Sequence, residues 1–324
     1  MLGAGSWGTA LAIALAGRSN HVRLWARDKA LATAMQISRR NERYLPSFRL
    51  RENVSISDDI EVAAHGAETV LIAIPSQHLR SVLNKCCNVF TSSTKLVTAT
   101  KGIEEGTLLR MSEVIRESAP GSPVAALSGP TFAKEIAAGE PAAVVIASED
   151  LAFAEEIQRE FATPTLRFYA SNDLIGVELG AALKNVIAIG SGICRGLGLG
   201  SNSVAALITR GLAENTRLAV AMGGQPRTLA GLTGLGDLVL TATGDLSRNR
   251  FVGVQLGQGH KLHQILASMT MIAEGVCTCK AAYLLGQRMR VDLPIIDKMH
   301  EILYESKDPR QAITELMERP LTTE

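Results

Sequence analysis

The chain has no long run of basic residues: 33 Lys and Arg stand against 32 Asp and Glu, a formal charge of +1. Nucleic-acid binders concentrate positive charge on one face or stretch, so no such partner is expected. No long apolar segment is free of charge either. The longest candidate, residues 174–193, carries Glu178 and Lys184, so no integral membrane segment is expected. The N-terminus shows no basic stretch followed by an apolar one, the pattern of a secretory leader. Cysteine is scarce and odd in number, five in all, with Cys86 and Cys87 adjacent. That pattern suits a reducing compartment rather than a disulfide framework, and a cytoplasmic location is expected. Internal repeats and low-complexity segments are lacking. What remains is a chain of 324 residues, 46% hydrophobic, long enough for two domains each with its own core.

The most informative stretch is Gly3-Ala-Gly-Ser-Trp-Gly8, a G-x-G-x-x-G pattern followed by the apolar helical run Thr9 to Ala16. Glycines at this spacing allow a tight turn, close approach to a pyrophosphate and packing of the helix on a sheet. Gly3, Gly5, Ser6, Trp7 and Gly8 are therefore candidate cofactor-binding residues, with the helix N-terminus facing the phosphates. A first strand of five or six apolar residues should precede this loop, yet only Met1 and Leu2 stand there. The expectation is that Met1 belongs to the end of a longer strand. His21 to Trp25 then reads as the second strand, ending at Arg27-Asp28. An acidic residue about 20 positions beyond the glycines holds the ribose hydroxyl of NAD, and an Arg accommodates the extra phosphate of NADP. Here the two charges are adjacent, and both cofactors stay open.

Further strands are expected at Asn53 to Ser57, Glu68 to Ile74, Leu96 to Thr100, Val124 to Ser128, Ala143 to Ala147 and Leu166 to Tyr169. Strands alternating with helices predict a mostly parallel, doubly wound sheet of Rossmann type. From Ser171 the texture becomes helical: Asp173 to Ile193, Ser203 to Met222, Glu274 to Met289, Pro294 to Tyr304 and Pro309 to Arg319. Asp308 and Pro309 suit the cap and first position of the last helix. The predicted organisation is α/β, with a dinucleotide-binding domain over 1–170 and an all-helical substrate and catalytic domain over 171–324.

Two stretches of the second half carry chemistry. Lys184 lies mid-helix among Leu183, Val186 and Ile187, so it either snorkels to water or serves as a buried acid/base. The run Gly231-Leu-Thr-Gly-Leu-Gly-Asp237 ends in a carboxylate, and Ser247-Arg-Asn-Arg250 follows ten residues later. Hydroxyl, guanidinium and amide groups together suit a phosphorylated polyol, Arg offering a bidentate grip. Ser247 also reads as a helix cap. His260-x-x-His263 with Cys277-x-Cys279 has the residue types of a zinc site, but the spacings are tight and Cys279 falls within a helix; no metal is expected. Gly196 to Gly200 reads as a link between helices.

In order along the chain, GAGSWGTALA, ATKGI, SGPTFAKE, IGVELG with LKNVIAI, ALITRGL, GLGDLVLT, SRNR and AEG resemble bacterial NAD(P)-dependent glycerol-3-phosphate dehydrogenases, from Gly3 to about Pro309. The resemblance implies NAD or NADP as cofactor. It implies reversible reduction of dihydroxyacetone phosphate to sn-glycerol 3-phosphate, feeding glycerophospholipid synthesis, and a homodimer. It implies that Lys184 is the proton donor and acceptor, and that Lys101, Gly129, Thr131, Asp237, Ser247, Arg248 and Asn249 hold substrate. Ser6, Trp7, Arg27, Lys101, Ala133, Arg248 and Glu274 would touch the cofactor. Ala242 stands where the family often has Cys, and Phe251 where a second Arg is usual. The alternatives are another two-domain dehydrogenase, of 6-phosphogluconate or 3-hydroxyacid type, and a non-catalytic dinucleotide-binding sensor.

Overall fold

The structure, a computed structural model, describes residues 1–18, 21–321 and 323. The chain forms two units, Met1–Lys101 with Leu109–Glu178, and Gly102–Leu108 with Leu179–Glu324.

The first unit is built on strands β1 (Val22–Trp25), β2 (Arg40–Asn41), β3 (Leu45–Arg49), β4 (Val54–Ser57), β5 (Thr69–Ile72), β6 (Lys95–Thr98), β7 (Val124–Ser128), β8 (Ala142–Ala147) and β9 (Leu166–Ser171). β1 pairs with β4 in parallel, and β5 through β9 form a continuous ladder in which only the β7–β8 pairing is antiparallel. The two parts are joined by the residues before the glycine loop. Leu2 bridges in parallel to Trp25 on one side and Ile72 on the other. Its N–H donates to Leu71 O and its carbonyl accepts from Ala73, both over 2.8 Å, while Trp25 donates to Met1 O over 2.9 Å. The short stub thus occupies the central position that the sequence pattern demands, and Leu2 is fully buried there.

Alternation along these strands sorts their side chains to opposite faces. Leu71, Val97 and Ala125 are in register and join one apolar cluster, which takes in Leu11 and Leu15 of helix Ser6–Leu15. Val70, Ile72, Leu96 and Val124 join a second, with Leu79, Leu83, Val114 and Ile115 from helices Leu79–Leu83 and Met111–Ser118. Helices on both faces are what a doubly wound sheet requires. One element was not expected from sequence: β2 and β3 form an antiparallel hairpin between Arg40 and Arg49.

The second unit is helical. Residues 179–196 of helix Leu174–Gly196 run parallel to helix Arg248–Gly257 at backbone contact. A methyl group on Gly253 would lie 1.9 Å from Ile189 O, and one on Gly257 2.5 Å from Ile193 O. Only glycine permits that approach. Helix Leu174–Gly196 is long and apolar enough to cross a membrane, but 94% of its most apolar window is buried in the protein, as in a core helix. Helices Ser201–Ala221 and Pro294–Tyr304 are tied by Glu214, whose two carboxylate oxygens accept the N–H groups of Ile295 and Ile296 over 2.8 and 3.1 Å. These are donors that a helix start leaves without intrahelical partners. As expected, Asp308 caps helix Pro309–Met317, accepting from Arg310 and Gln311.

Candidate active site

In the first unit the glycine loop runs directly from the central stub into helix Ser6–Leu15, with Gly5 as its cap residue and no side chain satisfying the first turn. Gly3 has φ +109°, and a methyl group there would meet Ala73 O at 2.5 Å. One on Gly8 would meet Gly3 O at 1.9 Å, so the protein's own packing demands both glycines. Gly5 is different: a methyl group there would meet no protein atom within 4 Å. Fold packing alone gives no reason for glycine at that position, whereas close approach of a pyrophosphate does. Trp7 adds a second sign, since its indole Nε1 is buried and finds no acceptor among the described residues. The loop therefore fits a dinucleotide.

The loop is held from outside by the unforeseen hairpin. Asn41, fully buried, donates its amide to Ala4 O and to Thr9 Oγ1, each over 2.8 Å, and its carbonyl oxygen accepts from Tyr44 N–H over 3.2 Å. Nothing in the sequence pattern singles out this asparagine, because Ala4 and Thr9, the partners of its amide group, lie 37 and 32 residues away. At the end of β1, Arg27 is exposed. Asp28 caps helix Lys29–Ser38, Oδ1 accepting from Leu31 N–H over 3.1 Å, and Oδ2 lies 3.2 Å from the Arg43 guanidinium.

Past β6 and β7 the predicted residues gather. Lys101 Nζ donates to Gly129 O over 3.0 Å and to Thr131 Oγ1 over 3.3 Å, and it stands 5.9 Å from the centre of the Trp7 ring. Gly129 needs its freedom, because at φ +149° a methyl group would press on β8, 2.9 Å from Val144 Cα. Ala133 opens the short helix Ala133–Ala138. Ser6, Trp7, Lys101, Gly129 and Thr131 thus share one end of the sheet, beyond the carboxyl ends of its parallel strands, where ligands of such folds bind.

In the second unit Lys184 does not snorkel. It is 5% exposed, and its Nζ donates to Asp237 Oδ1 and to Thr241 Oγ1, both over 2.6 Å. Asp237 is itself 1% exposed and starts helix Asp237–Thr243, after a single wide turn over Leu232–Gly236. A methyl group on Gly180 would lie 3.0 Å from Thr233 O, so the turn that delivers Asp237 sits directly on the helix that carries Lys184. A buried ammonium is tolerable only with partners of this kind, and a charge-assisted pair at 2.6 Å supplies one.

The Ser247 hydroxyl oxygen accepts from Arg250 N–H over 3.1 Å and caps helix Arg248–Gly257, as the spacing predicts. Arg248 follows, exposed, with one guanidinium nitrogen donating to Ile272 O over 3.0 Å. Asn249 is buried; its amide donates to Asn185 Oδ1 over 2.9 Å and its carbonyl oxygen accepts from Gly275 N–H over 3.0 Å. Glu274 begins helix Glu274–Met289 next to that contact. Asn185 and Thr241 are residues that sequence reasoning passed over. Their polar side chains in apolar helical runs were the available signal.

The zinc-type residues do not assemble. His260 and His263 are exposed, Cys279 is fully buried against Ile296, and no group of three His, Cys, Asp or Glu side chains suited to a metal occurs among the described residues. Cys86, Cys194, Cys277 and Cys279 are free thiols; the side chain of Cys87 lies outside the described residues.

Comparison with known proteins covers the same ground from another side. Residues 1–154 match the family domain described as NAD-dependent glycerol-3-phosphate dehydrogenase N-terminus, and residues 173–314 match its C-terminus counterpart. A glycerol-3-phosphate dehydrogenase [NAD(P)+] of Koribacter versatilis is 52% identical over 100% of this chain and 98% of its own length. One from Syntrophotalea carbinolica is 51% identical over the same shares. The crystal structure of glycerol-3-phosphate dehydrogenase from Coxiella burnetii superposes with a TM-score of 0.94 at 39% identity, covering 98% of both chains.

Proposed function

The chain belongs to the NAD-dependent glycerol-3-phosphate dehydrogenase family, and from that premise we propose how its own residues carry the reaction. It is an oxidoreductase that uses NAD or NADP to interconvert dihydroxyacetone phosphate and sn-glycerol 3-phosphate. Residues 1–170 serve the cofactor, and residues 171–324 serve substrate and catalysis. Gly3, Gly5, Ser6, Trp7 and Gly8 receive the dinucleotide, with Arg27, Lys101, Ala133, Arg248 and Glu274 as further contacts. When bound, the nicotinamide supplies or accepts a hydride at the carbinol carbon. The chain's part is to hold the substrate and to move one proton.

The observation that carries this reading is Lys184, buried yet hydrogen-bonded to Asp237 and Thr241 over 2.6 Å each. Its ammonium donates a proton to the carbonyl oxygen as negative charge develops there, and takes one from the hydroxyl in the reverse direction. Asp237 and Thr241 accept from the ammonium and hold it in place. Lys101, Gly129, Thr131, Ser247, Arg248 and Asn249 hold the substrate, with Arg248 gripping the phosphate as a planar fork.

The product is the backbone of glycerophospholipids, which supports a place in their synthesis. Free thiols at four described cysteines support a cytoplasmic setting. A homodimer is the assembly we propose; exposed Leu235, Val239, Leu246 and Phe251 offer apolar surface for a second copy to cover. The decisive experiment offers phosphorylated ketones with NADH and NADPH in parallel. Oxidation of either cofactor with dihydroxyacetone phosphate alone is expected. Turnover of a different ketone, or of none, would overturn the assignment.

A further inference from the structure

Three features of the first unit bear on which dinucleotide the site takes. Asp28 follows the strand end where an acidic residue grips the ribose hydroxyl of NAD. Its carboxylate is already engaged, with Oδ1 capping helix Lys29–Ser38 through Leu31 N–H and Oδ2 3.2 Å from Arg43 Nη1. Arg43 is in turn held by its neighbour, its guanidinium 5.2 Å from the centre of the Tyr44 ring. It sits on the hairpin whose Asn41 anchors the glycine loop, so its placement is tied to the same loop that receives the pyrophosphate.

We propose that Arg43 is the residue that sets cofactor choice, by occupying the carboxylate of Asp28 and turning an NAD-type acid into part of an NADP-type site. A carboxylate that accepts both a helix N–H and a guanidinium is poorly placed to accept ribose hydroxyls as well. Its charge is offset locally, so it repels a 2′-phosphate less. Arg27, exposed one residue earlier and free of any described hydrogen bond or ion pair, is left to meet that phosphate. Arg27 alone would face the opposing field of Asp28; Arg43 removes the opposition. The two arginines therefore have different tasks, one reading the phosphate and the other holding the acid.

The inference rests on the dinucleotide-binding reading above, and titration calorimetry of the whole protein with NADPH and NADH tests both. Arg43→Ala is expected to weaken NADPH binding roughly two- to fivefold, the scale of a half-exposed charge contact, with NADH binding unchanged or tighter. Asp28→Asn keeps a capping side chain while removing the charge, and should shift the ratio toward NADPH. Adding Asp28→Asn to Arg43→Ala should restore much of the lost NADPH affinity, because the uncovered charge is then gone. Equal weakening of both dinucleotides by Arg43→Ala, or no change in either, overturns the inference while leaving the dehydrogenase reading intact. A wild-type protein that binds neither dinucleotide overturns the reading and the inference together.

Discussion

Asn185 and Asn249 face one another across two parallel helices, hydrogen-bonded over 2.9 Å and 64 residues apart in the chain. The same offset joins Ile189 to Gly253 and Ile193 to Gly257, the pairs at backbone contact. Lys184 and Arg248 also stand 64 apart, since 248 − 184 = 64. One helix register thus places Lys184 and Arg248, the acid and the phosphate grip we propose, at the same level of the second unit, and the glycines below them maintain it.

Replacing Lys184 with Ala should leave the fold and cofactor affinity in place and cost turnover. The loss expected for a general acid is about 10²–10⁴-fold, and the missing charge adds to it. Steady-state kinetics beside dinucleotide titration checks this. Turnover within a few-fold of wild type would take Lys184 out of the chemistry.

Arg248→Ala should lower kcat as well as raise KM for dihydroxyacetone phosphate, because phosphate binding helps to orient the reacting carbon. Unphosphorylated dihydroxyacetone should be a poor substrate for the wild type and lose little more in the variant. If both ketones slow by the same factor, Arg248 is not the phosphate handle.

Gly253→Ala pits two effects against each other. Alanine favours a helix by up to about 1 kcal/mol over glycine, but its methyl group would meet Ile189 O at 1.9 Å. Backbone cannot rotate away, so the clash wins, with a net loss on the order of 1–3 kcal/mol. Moving Arg248 and Asn249 by even about 1 Å can cost on the order of 10²-fold in rate. A lowered Tm together with a lowered kcat, measured well below that Tm, is expected. Wild-type values of both would show that the contact does not matter.

Glu214 should give the protein a component of stability that falls as pH rises. Burial pushes its carboxyl from 4.5 up to about 7, against the opposing pull of the Ile295 and Ile296 N–H groups. The folded state therefore binds a proton more tightly than the unfolded one. That contribution is complete below about pH 4.5 and is lost as pH rises through about 7. Its size is on the order of 3 kcal/mol. Tm recorded from pH 5 to 8 should decline less steeply in Glu214→Gln than in wild type, and parallel slopes would refute the assignment.

Local patterns made much of the fold legible. Val124 to Ser128 reads as a strand because its apolar run is short and bounded, and it is one. Ser247 and Asp308 announce their helices because a cap is chemistry between near neighbours. The glycine loop was visible for the same reason. What stayed hidden depends on distant partners. The hairpin at Arg40 to Arg49 has no clean alternation, and Asn41 gains its importance only from Ala4 and Thr9. Lys184 was ambiguous until Asp237, 53 residues on, was seen to pair with it.

The segment Gly102–Leu108 belongs to the second unit although most of that unit lies beyond residue 178. Glu105 meets Cys277 there, and their hydrogen bond helps burial push the thiol up to about 12. On a ribosome the segment emerges long before its neighbours do. About 170 further residues must be made before Cys277 appears, a wait of roughly 10–35 s at ordinary elongation rates. The nascent chain therefore carries a strip of its second unit ahead of the rest, and synthesis must run most of its course before Glu105 can meet Cys277.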